Sequence, residues 1–143
     1  MPNHQKFLSA IFIFLLVFIF SPPKIFAQVV INELLPNPVS DSDWVELYND
    51  SEQDVYLDGW VLDDEGTTTN MVDIKEATIS AKSFLVFDVG SRLNKSSDII
   101  YLNDDRGDTV DEYGYTENPG DNISLGRMPD GDEWGVCQTL TKG

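Results

Sequence analysis

Between residues 99 and 110 the chain reads IIYLNDDRGDTV. β-Branched and aromatic residues stand on both sides of a turn made of Asn, Asp and Gly, and this arrangement is typical of a β-hairpin. Tyr113 and Tyr115 extend its second arm. Outward from this hairpin, short apolar runs recur roughly every ten residues and are divided by turn residues, a spacing that predicts a sandwich or barrel of β-strands.

These apolar runs also predict how the strands pack. About nine strand-like pieces follow residue 27, which is too many for one open sheet, so we expect two packed sheets. We expect a tryptophan-centred core with Trp60 and Leu62 on one strand and Val45 and Leu47 on another. Residues 71–76 are less regular, and a helical turn is an open alternative there.

The first 27 residues differ in character from the rest. Lys6 precedes an apolar run over residues 7–20, which Pro22 and Pro23 close. This order predicts a helical secretory signal over residues 1–27, cut after Ala27 and followed by one domain over residues 28–143. We therefore expect a secreted or cell-surface protein.

The alternative is a retained membrane anchor over residues 7–27. Ile25 occupies the place, three residues before the end of the signal, where a small residue is preferred. The apolar run is nevertheless short for a bilayer core, which needs about 20 residues.

The charge after residue 27 restricts the partners. Seven basic and 25 acidic residues remain there, a net charge of −18, and the basic ones are dispersed. Such a field repels nucleic-acid phosphates and anionic lipid headgroups, so we expect neither nucleic acid nor a lipid surface as a partner. Cys137 is the only cysteine, so no internal disulfide can form, and we expect a buried thiol or, alternatively, a pairing with another molecule.

Several short motifs follow one another in a fixed order. They are Ile31-Asn32-Glu33 before Pro36, residues 44–49 (WVELYN), residues 57–62 (LDGWVL), Ile79 and Ala81 before residues 84–86 (FLV), Leu102 with Asp104, Gly107, Val110 and Asp111, and residues 124–127 (SLGR) before Pro129, Asp130, Gly131 and Trp134. In this order and spacing they resemble the lamin tail domain over residues 29–138. The lamin tail domain is the immunoglobulin-like module of nuclear lamins and of many exported bacterial proteins.

The resemblance implies an all-β, immunoglobulin-like sandwich of about nine strands and no enzyme activity. In bacteria such domains are often joined to hydrolases, repeats or surface anchors, so the resemblance implies an accessory or adhesive module. No coiled-coil rod accompanies the motifs, so we expect neither lamin-type filaments nor nuclear placement.

The residue types after position 27 exclude several kinds of chemistry. The only histidine, His4, lies in the predicted signal, so triads that need an imidazole base are excluded, and so are zinc sites built on His and Cys. A glycine-rich, phosphate-binding loop is also absent from the sequence. We therefore assign no catalytic, cofactor-binding or metal-binding residue. A pair of carboxylates could in principle cleave glycosides, so a secreted hydrolase, or a subunit of one, is the alternative function.

A third hypothesis is that the chain forms a calcium-stabilised extracellular domain. Carboxylates cluster in two turns, and Ca²⁺ prefers such oxygen ligands. Neither turn fits the twelve-residue calcium loop, and Asp is also an ordinary turn former. The candidate ligands are Asp104, Asp105 and Asp108 in one turn and Asp130, Asp132 and Glu133 in the other.

Smaller motifs have plain explanations. Arg106-Gly107-Asp108 spells an adhesion tripeptide, but it falls on the predicted hairpin turn. Arg127, one of three arginines, is expected to pair with a nearby acid and to hold the last strand in place. Glycosylation sequons begin at Asn49, Asn94 and Asn122 and matter only in a host that modifies them.

We expect a noncatalytic module that binds a protein or a cell-envelope component.

Overall fold

The computed structural model describes residues 28–66 and 69–143, and these ranges contain eleven β-strands and no helix. Within them, therefore, no helix is long and apolar enough to cross a membrane. The predicted signal helix lies outside the described residues. The strands are β1 Val29–Leu35, β2 Asp43–Asn49, β3 Val55–Tyr56, β4 Val61–Asp64, β5 Val72–Asp73, β6 Thr78–Ile79, β7 Phe84–Gly90, β8 Asp98–Asn103, β9 Thr109–Tyr115, β10 Ser124–Arg127 and β11 Trp134–Cys137.

The strands form two main sheets and one short pair. The larger sheet has five strands in the order β11-β10-β1-β2-β7, the facing sheet has four in the order β5-β4-β8-β9, and β3 pairs with β6. All pairings are antiparallel. The predicted all-β, immunoglobulin-like sandwich is confirmed. The described residues form eleven strands rather than about nine, and one strand that the sequence did not predict is β5, in the irregular segment 71–76.

The apolar core lies between the two main sheets. Its buried side chains include Val29, Ile31, Leu34, Val45, Leu47, Leu62, Ile100 and Leu102. Burying such side chains is the main favourable contribution to folding. The predictions for Val45, Leu47 and Leu62 are confirmed.

The prediction of Trp60 at the centre of the core is wrong. Trp60 is only partly buried against the core cluster, because it lies in the turn after Gly59, before β4 begins. The tryptophan that is almost fully enclosed is Trp44, which is 2 % exposed. Trp44 lies outside the core cluster, on the other face of the five-stranded sheet.

The hairpin predicted around residues 99–110 is confirmed, and it is formed by β8 and β9. Its turn is closed by Asp104, whose Oδ1 accepts the backbone N–H groups of Arg106 and Asp108 at 3.0 Å each. Gly107 takes a φ of +83°, which favours glycine. The helical turn considered for residues 71–76 is wrong, because Val72 and Asp73 pair with β4 and complete the sheet edge.

Two strands are buried on both faces. Every residue of β1 is buried, and so is every residue of β2 except Tyr48, which is half-buried. One face of these strands meets the core. The other, hereafter the outer face, must therefore be covered by something other than the second sheet.

Candidate functional site

A β-bulge in β1 sets up the outer face. Ile31 is opposite Leu47, but the next pair is Glu33 with Glu46, so Asn32 is an extra residue in the ladder. A bulge of this kind changes which side chains point to each face. Ile31 and Leu34 both stay in the core, while Glu33 lies directly across from Glu46 on the outer face.

The two glutamates are almost completely enclosed, each being 1 % exposed. All four carboxylate oxygens accept hydrogen bonds. Glu33 accepts from the hydroxyls of Ser124 and Thr141, and Glu46 accepts from Asn32 Nδ2 at 3.1 Å and from the Gly143 backbone N–H at 2.7 Å. In the described part of the chain, no buried side-chain N or O atom lacks a hydrogen-bond partner.

The enclosure changes the acidity of Glu46. Burial raises the pKa of Glu46, and the neighbouring acids Glu33 and Asp130 raise it further, while the hydrogen bonds from Gly143 and Asn32 act in the opposite direction. Carboxylates opposite each other on adjacent strands repel when both are ionised. The pair is therefore sensitive to any change in the groups that donate to it.

Residues 138–143, hereafter the tail segment, supply part of the cover. They follow β11 and run to the outer face, where Thr141 and Gly143 donate to the glutamates. Lys142, between these two donors, places its Nζ 5.7 Å from the centroid of the Trp44 ring. A cation over an indole face is an attractive arrangement.

Beside the tail segment lies an open groove of about 450 Å³, lined by residues of β1, β10, β11, the turn between β10 and β11, and the tail segment. Met128 and Val136 in its wall are about half exposed, at 51 % and 50 %. Cys137 also lines the groove, but its side chain is buried. A buried thiol is one of the two alternatives that the sequence leaves open. Burial and the charges of Glu33 and Asp130 raise the pKa of the Cys137 thiol, which keeps it protonated and poorly nucleophilic.

Arg127 connects three elements next to this groove. Its Nη2 lies 3.1 Å from both carboxylate oxygens of Asp111, Nε donates to the Ile31 carbonyl at 2.9 Å, and Nη1 donates to the Asp132 carbonyl at 2.8 Å. The guanidinium also lies 5.1 Å from the Trp134 ring centroid. The predicted pairing of Arg127 with an acid is confirmed, and this arginine ties β10 to β1 and β9.

The two acidic turns considered for calcium are not assembled into ligand sets. Asp104 is paired with the Arg106 guanidinium at 2.6 Å, and this hydrogen bond lowers the pKa of Asp104. Asp130 accepts a hydrogen bond from Asn32 at 3.2 Å. Among the residues that the structure describes, no group of three or more His, Cys, Asp or Glu side chains could hold a metal ion.

The asparagines of the three glycosylation sequons differ in how exposed they are. Asn94 and Asn122 are exposed, but Asn49 is 0 % exposed and its Nδ2 donates to the carbonyls of Gln53, Ile79 and Ser80. Asn49 therefore serves the fold by fixing the loops after β2 and β6.

The sequence profile of the Lamin Tail Domain family matches residues 23–117. The chain belongs to the lamin tail domain family. A search of curated proteins gives no match to this chain. The match includes the segments that form β1–β9, and so it contains Glu33, Glu46 and Trp44 of the lamin tail domain fold.

The remaining parts of the outer face follow the matched segment. Ser124, Thr141 and Gly143 all lie after residue 117, so membership of the lamin tail domain family does not by itself explain why the glutamates are covered.

The sequence does not predict this site, because Glu33 and Glu46 belong to two separate motifs and meet only through the bulge and the strand register. The available signal was an acid inside each of two apolar strands, together with the spacing of three between Ile31 and Leu34, which breaks period two and indicates a bulge.

Proposed function

We propose that this lamin tail domain is a noncatalytic, exported module that binds a protein or a cell-envelope component. It acts as an accessory or adhesive unit, at the cell surface or after secretion. Its acidic surface favours partners that carry positive charge and disfavours nucleic acid and anionic lipid.

The observation that carries this proposal is the state of the outer face. Its two buried acids are already bound by donors of their own chain, so neither presents a free oxygen to a reacting bond. In the groove beside them, Met128 and Val136 are exposed large apolar side chains. Apolar groups gathered at a groove with polar surroundings are typical of a contact surface.

A secreted hydrolase, or a subunit of one, is the second candidate. The observation that favours it is the pairing of Glu33 with Glu46 across two strands, with the pKa of Glu46 raised mainly by burial. Glycoside hydrolases use a pair of carboxyl groups, and the one that acts as general acid has a raised pKa. Such a reaction would require the tail segment to leave the outer face first.

Sedimentation of the purified protein with cell-envelope fractions of its source tests the binding function. We expect saturable binding that Val136→Lys weakens at least tenfold, because a charge is introduced beside the groove. Val39→Lys is the matched control, since Val39 is also an exposed valine, 65 % accessible, and lies outside the residues that line the groove. Absence of saturable binding, or equal loss in both variants, would contradict the proposal.

Turnover assays separate the second candidate. The intact protein is incubated with a panel of glycosides and esters beside its Glu46→Gln variant. We expect no difference between the two proteins. A hydrolysis rate that falls by several orders of magnitude in Glu46→Gln would instead establish the hydrolase.

A further inference from the structure

We propose that the outer face is a peptide-binding site, which the tail segment fills as an internal ligand. Its external ligand is an extended, cationic peptide with a Lys or Arg between two hydrogen-bond donors. This inference rests on the proposed binding function and names its class of partner.

The contacts of the tail segment define what the site recognises. Thr141 donates its hydroxyl and, at 3.4 Å, its backbone N–H to Glu33, and Gly143 donates its backbone N–H to Glu46, so the two backbone donors are two residues apart. Alternate residues of an extended chain present their backbone N–H groups to the same side, which fits two acceptors on neighbouring strands. The residue between them, Lys142, carries its charge to the Trp44 ring.

The tail segment is held in a way that permits exchange. The structure assigns residues 138–143 to no strand, and all six are exposed overall. Their fastening consists of hydrogen bonds to Glu33 and Glu46 and the contact of Lys142 with Trp44. A segment held by such contacts, rather than by a β-ladder, can be displaced by a peptide that offers the same groups.

The acids of the outer face require a donor in any state that keeps them enclosed. Without Thr141 and Gly143, the adjacent carboxylates of Glu33 and Glu46 would be buried with fewer partners and would repel each other. Asp130 adds a third negative charge that acts on Glu46. A cationic donor peptide satisfies both demands, whereas an acidic peptide supplies backbone donors but adds to the negative charge.

The test measures binding of a labelled peptide, QTLTKG, which copies residues 138–143. Its carboxyl end is amidated so that no extra negative charge is added. The hosts are the full chain, its Lys142→Glu variant, in which the internal ligand is repelled, and Lys75→Glu, a matched charge change at another exposed lysine. The control peptide is QTLTEG with the same amidation.

The internal ligand competes at an effective concentration that can reach millimolar. We therefore expect QTLTKG to bind Lys142→Glu at least tenfold more tightly than the unaltered chain or Lys75→Glu. QTLTEG should bind Lys142→Glu at least tenfold more weakly than QTLTKG does. Equal affinity for all three hosts, or no binding to any of them, would overturn the proposal.

A second measurement uses the unaltered chain and does not depend on how the variants fold. Millimolar QTLTKG is added and the NMR signals of the Thr141 and Gly143 amides are followed. We expect both signals to shift toward the positions of unstructured peptide as QTLTKG is titrated, because free and tethered ligands compete at similar concentrations, and unmoved signals would overturn the proposal. If the peptide results are negative while Val136→Lys still abolishes envelope binding, the peptide class fails and the binding function stands. If both are negative, the binding function fails as well.

Discussion

Glu33 and Glu46 stand at strand positions where neighbouring residues are apolar, and the structure shows why acids are tolerated there. Each oxygen has a donor, so the cost of taking the carboxylates out of water is partly offset. The compensation is incomplete, because burial raises the pKa of Glu46. Burial likewise raises the pKa of Asp43 and of Asp98.

These shifts predict an unusual dependence of stability on pH. An acid whose pKa is raised by folding binds protons more tightly in the folded state, so its charge destabilises the fold as the pH rises through the folded pKa. We expect the midpoint of urea unfolding to rise as the pH falls from neutral through the raised pKa values of these acids toward their unfolded pKa values of about 4. Below that range Asp104, with its lowered pKa, loses its stabilising contribution on protonation.

Glu46→Gln should make this pH dependence shallower without removing it, because Asp43 and Asp98 remain. Glu52→Gln is the control, since the Glu52 side chain is 86 % exposed, and its slope should match that of the unaltered protein. Urea titrations at several pH values measure both slopes. The same slope in Glu46→Gln as in the parent would contradict the argument.

Gly126 is a residue where the outer face leaves no room. A Cβ at this position would lie 2.8 Å from Cys137 Sγ and 3.2 Å from Glu33 Cγ. We expect Gly126→Ala to cost about 1–3 kcal/mol in the free energy of unfolding through overpacking. In Gly114→Ala the new Cβ would meet Ile99 Cγ1 at 3.4 Å, an ordinary contact, so this variant should be neutral or more stable by up to about 1 kcal/mol. Chemical denaturation compares the two, and equal costs would refute the packing explanation.

At the scale of elements, Arg127 is the main polar tie between β10 and the rest of the sandwich. The Arg127 and Asp111 side chains are only 16 % and 15 % exposed. Asp111 Oδ2 also accepts the Ile31 backbone N–H at 2.8 Å, so β1, β9 and β10 meet at one ion pair. Breaking a mostly buried pair leaves the surviving charge poorly solvated.

Arg127→Ala should therefore cost about 3 kcal/mol in the free energy of unfolding. Arg106→Ala should lower the free energy of unfolding much less, because the Arg106 side chain is 74 % exposed in its own ion pair and solvent screens that pair. A double-mutant cycle that combines Arg127→Ala with Asp111→Asn should give a coupling of about 1–3 kcal/mol. A coupling near zero would show that the two side chains act independently.

The elements also show how much the sequence could predict. The β8–β9 hairpin was predictable because its strands and turn are adjacent in the chain. The burial of Trp44 instead of Trp60 was not, because it depends on which face of a sheet a distant segment covers. Glu33 and Glu46 meet only through a bulge and a register, so the sequence could show two acids in apolar strands but not their pairing.

At the scale of the whole molecule, the arrangement of the acids leads us to predict that the stability of the fold does not depend on a metal ion. Asp104 is paired with Arg106, Asp130 accepts a hydrogen bond from Asn32, and the described residues hold no cluster suited to a cation. We expect EDTA to leave the thermal unfolding midpoint unchanged and added Ca²⁺ to raise it no more than Mg²⁺ does. A rise of several degrees in the unfolding midpoint with Ca²⁺ but not with Mg²⁺ would instead support the hypothesis of a calcium-stabilised domain.

The central claim is that the tail segment covers the paired acids of the outer face, and nuclear Overhauser contacts in the intact protein test it most directly. Lys142 Nζ lies 5.7 Å from the Trp44 ring centroid, so the Lys142 side-chain methylenes should show cross-peaks to the indole protons and be shifted upfield by the ring. Lys142 signals at unstructured positions, with no cross-peak to Trp44, would contradict the claim.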